Sequence, residues 1–227
     1  MADIYLIRHA HYAGHSPGYH APDDAQLSPQ GGRDTIAAAQ RIPVVHAIVS
    51  SPLRRALETA EILAEHSGGL RIEVLPELRE WRSPTAIRAI PPEDFPEDYA
   101  AWRHTRLLDP ASRYGDGESP QELAARAARL RNRLAHLADR YGPVLVVSHK
   151  LLFRALTEMG PPASVFTAGP GDTWPFLGFR RWDSKAQYPH CIQLPGVRVG
   201  VWPLIRQSPS PAPGSPPASY SSTTSDG

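Results

Sequence analysis

Two apolar runs of this chain end in the same kind of chemistry. The run "DIYLIRH" (3–9) finishes in Arg8 and His9, and "PVLVVSH" (143–149) finishes in Ser148 and His149. A third, "HAIVSS" (46–51), finishes in Ser50 and Ser51 and is followed by Arg54 and Arg55. An imidazole can act as a nucleophile or carry a proton near neutral pH. A guanidinium fork matches the oxygens of a phosphoryl group. A single histidine at a strand end is ordinarily a satisfied surface residue. Two at matching ends leave that reading and the catalytic one both open. By residue type alone they say that an anion is bound, phosphoryl transfer being one use of it.

The elements that must position these residues follow from pattern. The three runs are short, aliphatic or β-branched and barely alternating, as in strands covered on both faces. Ligands of open parallel sheets bind beyond the carboxyl ends of such strands, so the histidines and arginines share one crevice. Arg54 and Arg55 fall in the first turn of the next helix, where the helix dipole favours an anion. Ser28-Pro29, Ser51-Pro52 and Ser119-Pro120 each read as a capping hydroxyl before a first-turn proline, and Ser119 with Glu122 spells a capping box. Leu53, Ala56, Leu57, Ala60 and Ala64 make one apolar helix face. Leu123, Ala127, Leu130, Leu134 and Leu137 make another, with arginines outward and a stop at Gly142-Pro143. Strands alternating with helices predict a three-layer α/β/α sandwich around a mainly parallel sheet. A proline- and aromatic-rich stretch, about 81–117, breaks the rhythm and predicts a partly helical cap insertion. It serves either as a substrate cap or as packing around Phe95, Tyr99 and Trp102.

Composition narrows the classes. The 227 residues are 41% hydrophobic and 21% charged, with a formal net charge of +1. That is ordinary for one globular domain and lacks the basic footprint of nucleic-acid binding. The single cysteine, Cys191, precludes an internal disulfide and a cysteine-based zinc site. No apolar run approaches the roughly 20 residues that span a bilayer. Asp3 and Arg8 interrupt any signal-peptide pattern, so a cytoplasmic protein is expected. Residues 207–227 are nearly all Ser, Pro, Ala, Gly and Thr, which predicts a disordered tail after a domain over 1–206. No Walker loop or Rossmann fingerprint offers a nucleotide a seat.

The pieces "LIRHA" (6–10), "LSPQG" (27–31), "SSPLRRALETA" (50–60), "LRE" (78–80), "GES" (117–119) and "VVSH" (146–149) stand in the order found in the histidine phosphatase, or phosphoglycerate-mutase-like, superfamily. The chain resembles that family over roughly residues 3 to 155. The resemblance implies a metal-independent phosphatase with no cofactor, acting on a small phosphorylated metabolite. His9 would be the nucleophile that forms a phosphohistidine, with Arg8 holding the phosphoryl oxygens. In the family the arginine directly before the alanine binds phosphate, which selects Arg55 over Arg54. His149 would close the pocket, and Glu80 would be the proton donor. Glu77, just before that motif, is expected to be structural. Glu118 would either orient His149 or stabilise the helix that follows it.

Departures from the family set expectations about the substrate. The mutase branch continues R-H-G-E, with asparagine four residues beyond the glutamate; here His11 and His15 stand at those places. That favours a phosphatase over a bisphosphoglycerate-primed mutase; a phosphomutase or a protein-histidine phosphatase is the alternative among enzymes. A non-catalytic phospho-ligand-binding protein is the alternative of another class, and the full set of five site residues argues against it. The substrate rim is expected to hold His11, Tyr12, His15, Arg79, Trp81, Lys150 and, on a late strand "YPHCIQL", His190. Lys150 reads either as a contact to a second acidic group or as a solvated helix-start residue, the latter being preferred. A zinc site on His9, His11, His15 and His20 matches no helical ligand spacing. Oligomeric state is open, a homodimer included.

Overall fold

The computed structural model describes residues 2–158, 160–167 and 174–183. Its elements are β1 (Ile4–Arg8), α1 (Pro29–Ala39), β2 (Ala47–Ser50), α2 (Arg54–His66), β3 (Ile72–Val74), α3 (Glu97–Leu108), α4 (Pro120–Tyr141), β4 (Val144–Ser148), α5 (Lys150–Thr157) and β5 (Phe179–Trp182). The five strands lie in the order β3-β2-β4-β1-β5, all parallel except β5, which runs antiparallel to β1.

Both faces of the sheet are covered, which is why its central strands do not alternate. Ile4, Leu6, Val49, Val144 and Val146 pack on the side of α4 and α5, with Leu123, Leu130, Leu134 and Phe153. Tyr5, Ile7, Ile48, Leu145 and Val147 face α2, through Ala56, Ala60 and Leu63. Each fully buried Val, Leu, Ile or Phe among them contributes about 1.5–3 kcal/mol by leaving water. The expected α/β/α sandwich is therefore the fold.

Register brings the polar strand ends together. Arg8 pairs across from Ser148, and Ser50 from Val147. The ladder runs one residue further, with the His9 amide donating to the Ser148 carbonyl at 2.9 Å and the Ser51 amide to the Val147 carbonyl at 3.0 Å. His9, Ser51 and His149 thus leave the sheet side by side.

Helix starts follow the caps at two of three places. The Ser28 hydroxyl accepts from Gly31 N–H at 3.0 Å, and Ser119 with Glu122 forms a full capping box. α4 stops at Gly142, whose φ of 89° suits glycine. Ser51-Pro52 is a correction: Ser51 is still bonded to the sheet, and α2 begins at Arg54 behind an uncapped Leu53. Strands β3 and β5 were not expected. β3 is three half-exposed residues, and β5 carries two arginines along the sheet edge, so neither shows a strand pattern.

Residues 81–117 hold two short 3-10 turns and α3. Tyr99 and Trp102 are buried against each other, 5.6 Å between ring centroids, and join the α4–α5 core with Trp81. The stretch is therefore packing along α3, while its first residues line the cavity described below. The tail residues 207–227 lie outside the described residues.

One glycine governs how α1 meets the exit of β1. A Cβ on Gly31 would stand 2.0 Å from the His11 carbonyl oxygen, whereas one on Gly32 would meet nothing within 4 Å. Gly31→Ala is expected to push the loop that carries His9, costing about 1–3 kcal/mol of stability and, through misplacement of the site, turnover by about a hundredfold. Gly32→Ala should leave both near wild type. Thermal unfolding and steady-state rates of the pair check this.

Candidate active site

At the carboxyl edge of the sheet lies a cavity of about 520 Å³, and Arg8, His9, Arg55 and Glu80 line it. His9 is buried, and its Nδ1 sits 2.8 Å from the Ala10 carbonyl oxygen. A carbonyl can only accept, so Nδ1 carries the hydrogen and Nε2 the lone pair. Burial, then Arg8 and Arg55, hold this imidazole well below the ordinary histidine range, so it stays neutral. His149 is fully buried, its ring 4.9 Å from that of His9, with Nε2 2.7 Å from the Ser51 hydroxyl. Burial, Arg55 and His9 likewise keep it neutral.

The two arginines are held by backbone carbonyls rather than by carboxylates. Arg8 Nη1 donates to Trp174 O at 2.7 Å, and its guanidinium lies 4.0 Å over the Phe176 ring. Burial lowers Arg8 to about 10, which leaves it charged at neutral pH. Arg55 Nη1 donates to Pro22 O at 3.1 Å from the first turn of α2. Arg8 Nε, Arg55 Nε and His149 Nδ1 are buried with no hydrogen-bond partner among the described residues. A buried unsatisfied donor costs about 1–3 kcal/mol, and an oxyanion held by the two arginines, which line the cavity as His149 does not, would offset that cost.

Glu80, in the loop after the 76–78 turn, faces them with its carboxyl group bound at the start of α5. Its Oε1 accepts from the amides of Trp81 (2.9 Å) and Leu152 (3.1 Å), and Oε2 from that of Leu151 (3.2 Å). Oε2 therefore keeps a lone pair for a proton. A neutral imidazole with a fixed lone pair, two arginines and a carboxyl group around one cavity can carry out covalent phosphoryl transfer.

Residues 4–164 match the model of the histidine phosphatase superfamily, branch 1. The chain belongs to that superfamily. It is 32% identical over 170 residues to a glucosyl-3-phosphoglycerate phosphatase of Mycolicibacterium vanbaalenii, covering 68% of this chain and 69% of that one. It is 33% identical over 174 residues to the "Probable phosphoglycerate mutase GpmB" of Proteus mirabilis, covering 72% and 77%. The solved native structure of a mycobacterial glucosyl-3-phosphoglycerate phosphatase superposes with a TM-score of 0.66 at 25% identity, covering 84% of this chain and 96% of that one. The family and its phosphatases make this chain a phosphoric monoester hydrolase.

Around the centre of this histidine phosphatase, Tyr12, His15, Arg79, Trp81 and Lys150 line the cavity. His11 does not. Its backbone is pinned to α1, its Nδ1 lies 2.9 Å from the Ser28 hydroxyl, and its ring packs edge-on against Phe176 and His15. Lys150 is partly exposed and lines the cavity, and burial followed by Arg8 lowers its pKa. Arg79 pairs with Asp23 at the cavity edge. His190 and Cys191 lie outside the described residues. Glu77 pairs with Arg133 at 2.7 Å, a structural role. Glu118 does not hydrogen-bond His149; its carboxylate pairs with Arg126 of the helix that follows it, while the capping box of that helix is Ser119–Glu122.

Several neighbours escaped sequence reasoning. Trp174 and Phe176 reach Arg8 because β5 folds back beside β1, where Arg8 N–H donates to Gly178 O at 3.1 Å. The segment from Ser16 to Asp23 forms one cavity wall, and Arg82, Ser83 and Arg88 part of another. These are irregular loops without periodicity, so only their Gly and Pro content signalled them. No helix among the described residues is long and apolar enough to cross a membrane.

The buried histidines make folding sensitive to acid. His20 is also lowered, to about 4, by burial and then by Arg106, Arg103 and Arg88. Each of His9, His149 and His20 has a folded pKa below its unfolded value of about 6.5. Below that value the unfolded chain binds more protons, so stability is complete above about pH 6.5 and is lost as pH falls through it towards the folded values. Urea midpoints should fall between about pH 7 and 5, with His20→Phe flattening part of the slope. A midpoint constant over that interval would contradict this reading.

Proposed function

We propose that this histidine phosphatase hydrolyses a small phosphorylated metabolite through a phosphohistidine on His9. The phosphoryl group sits between Arg8, Arg55 and His149, which stabilise the charge on its equatorial oxygens as the transition state forms. Nε2 of His9 attacks phosphorus, making the N–P bond as the ester P–O bond breaks. Glu80 gives its proton to the departing alkoxide. Its carboxylate then takes a proton from a water whose oxygen attacks phosphorus, releasing phosphate and restoring His9. The observation that carries this reading is the His9 tautomer: Nδ1 is engaged with Ala10 O at 2.8 Å, and the ring is kept neutral beside two cations.

The outer cavity supports a substrate with a second acidic group. Lys150, Arg79, Arg82 and Arg88 all line it, and the related phosphatases are named for a phosphoglycerate ester, whose acid moiety carries a carboxylate beside the phosphate. Transfer to water rather than to a second sugar acid is favoured because His11 replaces the mutase glutamate and turns towards Ser28. We place the catalytic unit within residues 1–206, with 207–227 as a tail and the cytoplasm as its setting.

A phosphomonoester panel with and without a second carboxylate, run in EDTA, tests this. Phosphate release that is unaffected by EDTA, blocked by vanadate and fastest for the carboxylated esters is expected. No release from any ester, or transfer of the phosphoryl group to an acceptor other than water, would overturn it.

A further inference from the structure

Sequence pattern places the arginines of α4 on its outer face, yet Arg126 turns inward, its side chain only 14% exposed. All five of its N–H donors are used. Nε and Nη2 hold the Glu118 carboxylate at 2.8 and 2.7 Å. Nη1 donates to the carbonyls of Glu77 and Arg79, both at 2.7 Å, and Nη2 also to that of Glu80 at 3.3 Å. One planar group therefore grips three carbonyls of the segment that ends in Glu80.

Glu118 completes the grip from the other side. Its Oε2 accepts from the Arg82 amide at 3.1 Å, and its carbonyl oxygen from Trp81 Nε1 at 2.6 Å. The backbone on both sides of Glu80 is thus fixed to one nearly buried ion pair, while the Glu80 carboxyl group is fixed to the amides of α5. The clamp lies outside the set of residues that line the cavity.

We infer that Arg126, anchored by Glu118, is a positioning residue that sets Glu80 at proton-transfer distance from the leaving group. This rests on the reading of Glu80 as the proton donor. Arg126 lies outside the cavity lining and its contacts to the Glu80 segment are with the 77–80 backbone. A lysine at this position keeps the charge but has three donors on a point charge, so it cannot hold the carboxylate and three carbonyls together.

The test compares Arg126→Lys with Glu80→Gln and wild type, reading kcat/KM over phosphate esters whose leaving groups run from 4-nitrophenol to alkyl alcohols. Vanadate inhibition serves as the measure of an intact phosphate site. Arg126→Lys should lose at least about tenfold more activity on alkyl esters than on the aryl ester, with vanadate affinity within about twofold of wild type. An equal fall across all leaving groups, or no fall, overturns the inference. If Glu80→Gln shows the leaving-group dependence and Arg126→Lys does not, Arg126 alone has been misassigned. If Glu80→Gln also lacks it, the donor reading is what fails. Should Arg126→Lys not fold, Glu118→Gln, which weakens the anchor of the same fork, takes its place with the same readouts. Loss of vanadate binding by both would put Arg126 in the fold rather than in the placement of Glu80, and would overturn the inference.

Discussion

His9→Ala is expected to lower phosphomonoester turnover on the order of 10⁴-fold or more, because removing the nucleophile removes the covalent route and not one contact among several. Water could still attack a phosphoryl group held by Arg8, Arg55 and His149, but without the covalent intermediate that His9 supplies. The fold should survive the change. Among the described residues the His9 side chain makes one polar contact, to Ala10 O, while its amide keeps its place in the sheet ladder with Ser148. Removing a neutral, desolvated imidazole also removes one source of the acid sensitivity described above. Turnover within tenfold of wild type, in a preparation with a native unfolding transition, would contradict the assignment.

Glu80→Gln is expected to have the next largest effect, and one that depends on the substrate. General acid catalysis contributes about 10²–10⁴-fold, so alkyl esters should lose that much. An aryl ester with an acidic leaving group needs little protonation and should lose far less in its first step. Its second step should slow, because the same carboxylate accepts the proton of the attacking water. A burst of nitrophenol followed by a slow steady state is therefore expected with 4-nitrophenyl phosphate. The amide can still accept at one oxygen from Trp81 and Leu152 N–H, but its NH₂ would face the Leu151 amide. A stability loss of about 1–3 kcal/mol follows from that unpaired contact. Equal loss on alkyl and aryl esters, without a burst, would contradict the role.

The centre of this site was legible because it lies where regular structure ends. Arg8, His9, Ser148 and His149 close two strands whose register follows from two apolar patterns, and Arg55 opens the helix after a third. The choice of Arg55 over Arg54 and the role of Glu80 needed the family resemblance, since neither position is set by periodicity. What stayed hidden depends on contacts between distant or irregular segments. Trp174 meets Arg8 across 166 positions of chain, by way of a four-residue antiparallel strand with no apolar alternation. Ser51 reads as a cap from its neighbour Pro52, yet the ladder hydrogen bond to Val147 keeps it in the sheet and delivers its hydroxyl to His149. His11 sits beside the nucleophile in sequence, but the close approach of Gly31 and the Ser28 hydroxyl decide where its ring goes. Arg126 belongs to a helix whose other arginines suggest a solvated face, and only the carboxylate of Glu118 and three carbonyls draw it in.

Trapping the phosphoenzyme tests the covalent route most directly. Enzyme is mixed with ³²P-labelled 4-nitrophenyl phosphate, denatured in alkali within a turnover, digested and sequenced by mass spectrometry. One phosphate is expected on the peptide that contains His9, stable in base and lost in mild acid, with its yield raised by Glu80→Gln and abolished by His9→Ala. Label on another residue, or continued turnover with no trapped phosphate in Glu80→Gln, would contradict the phosphohistidine mechanism.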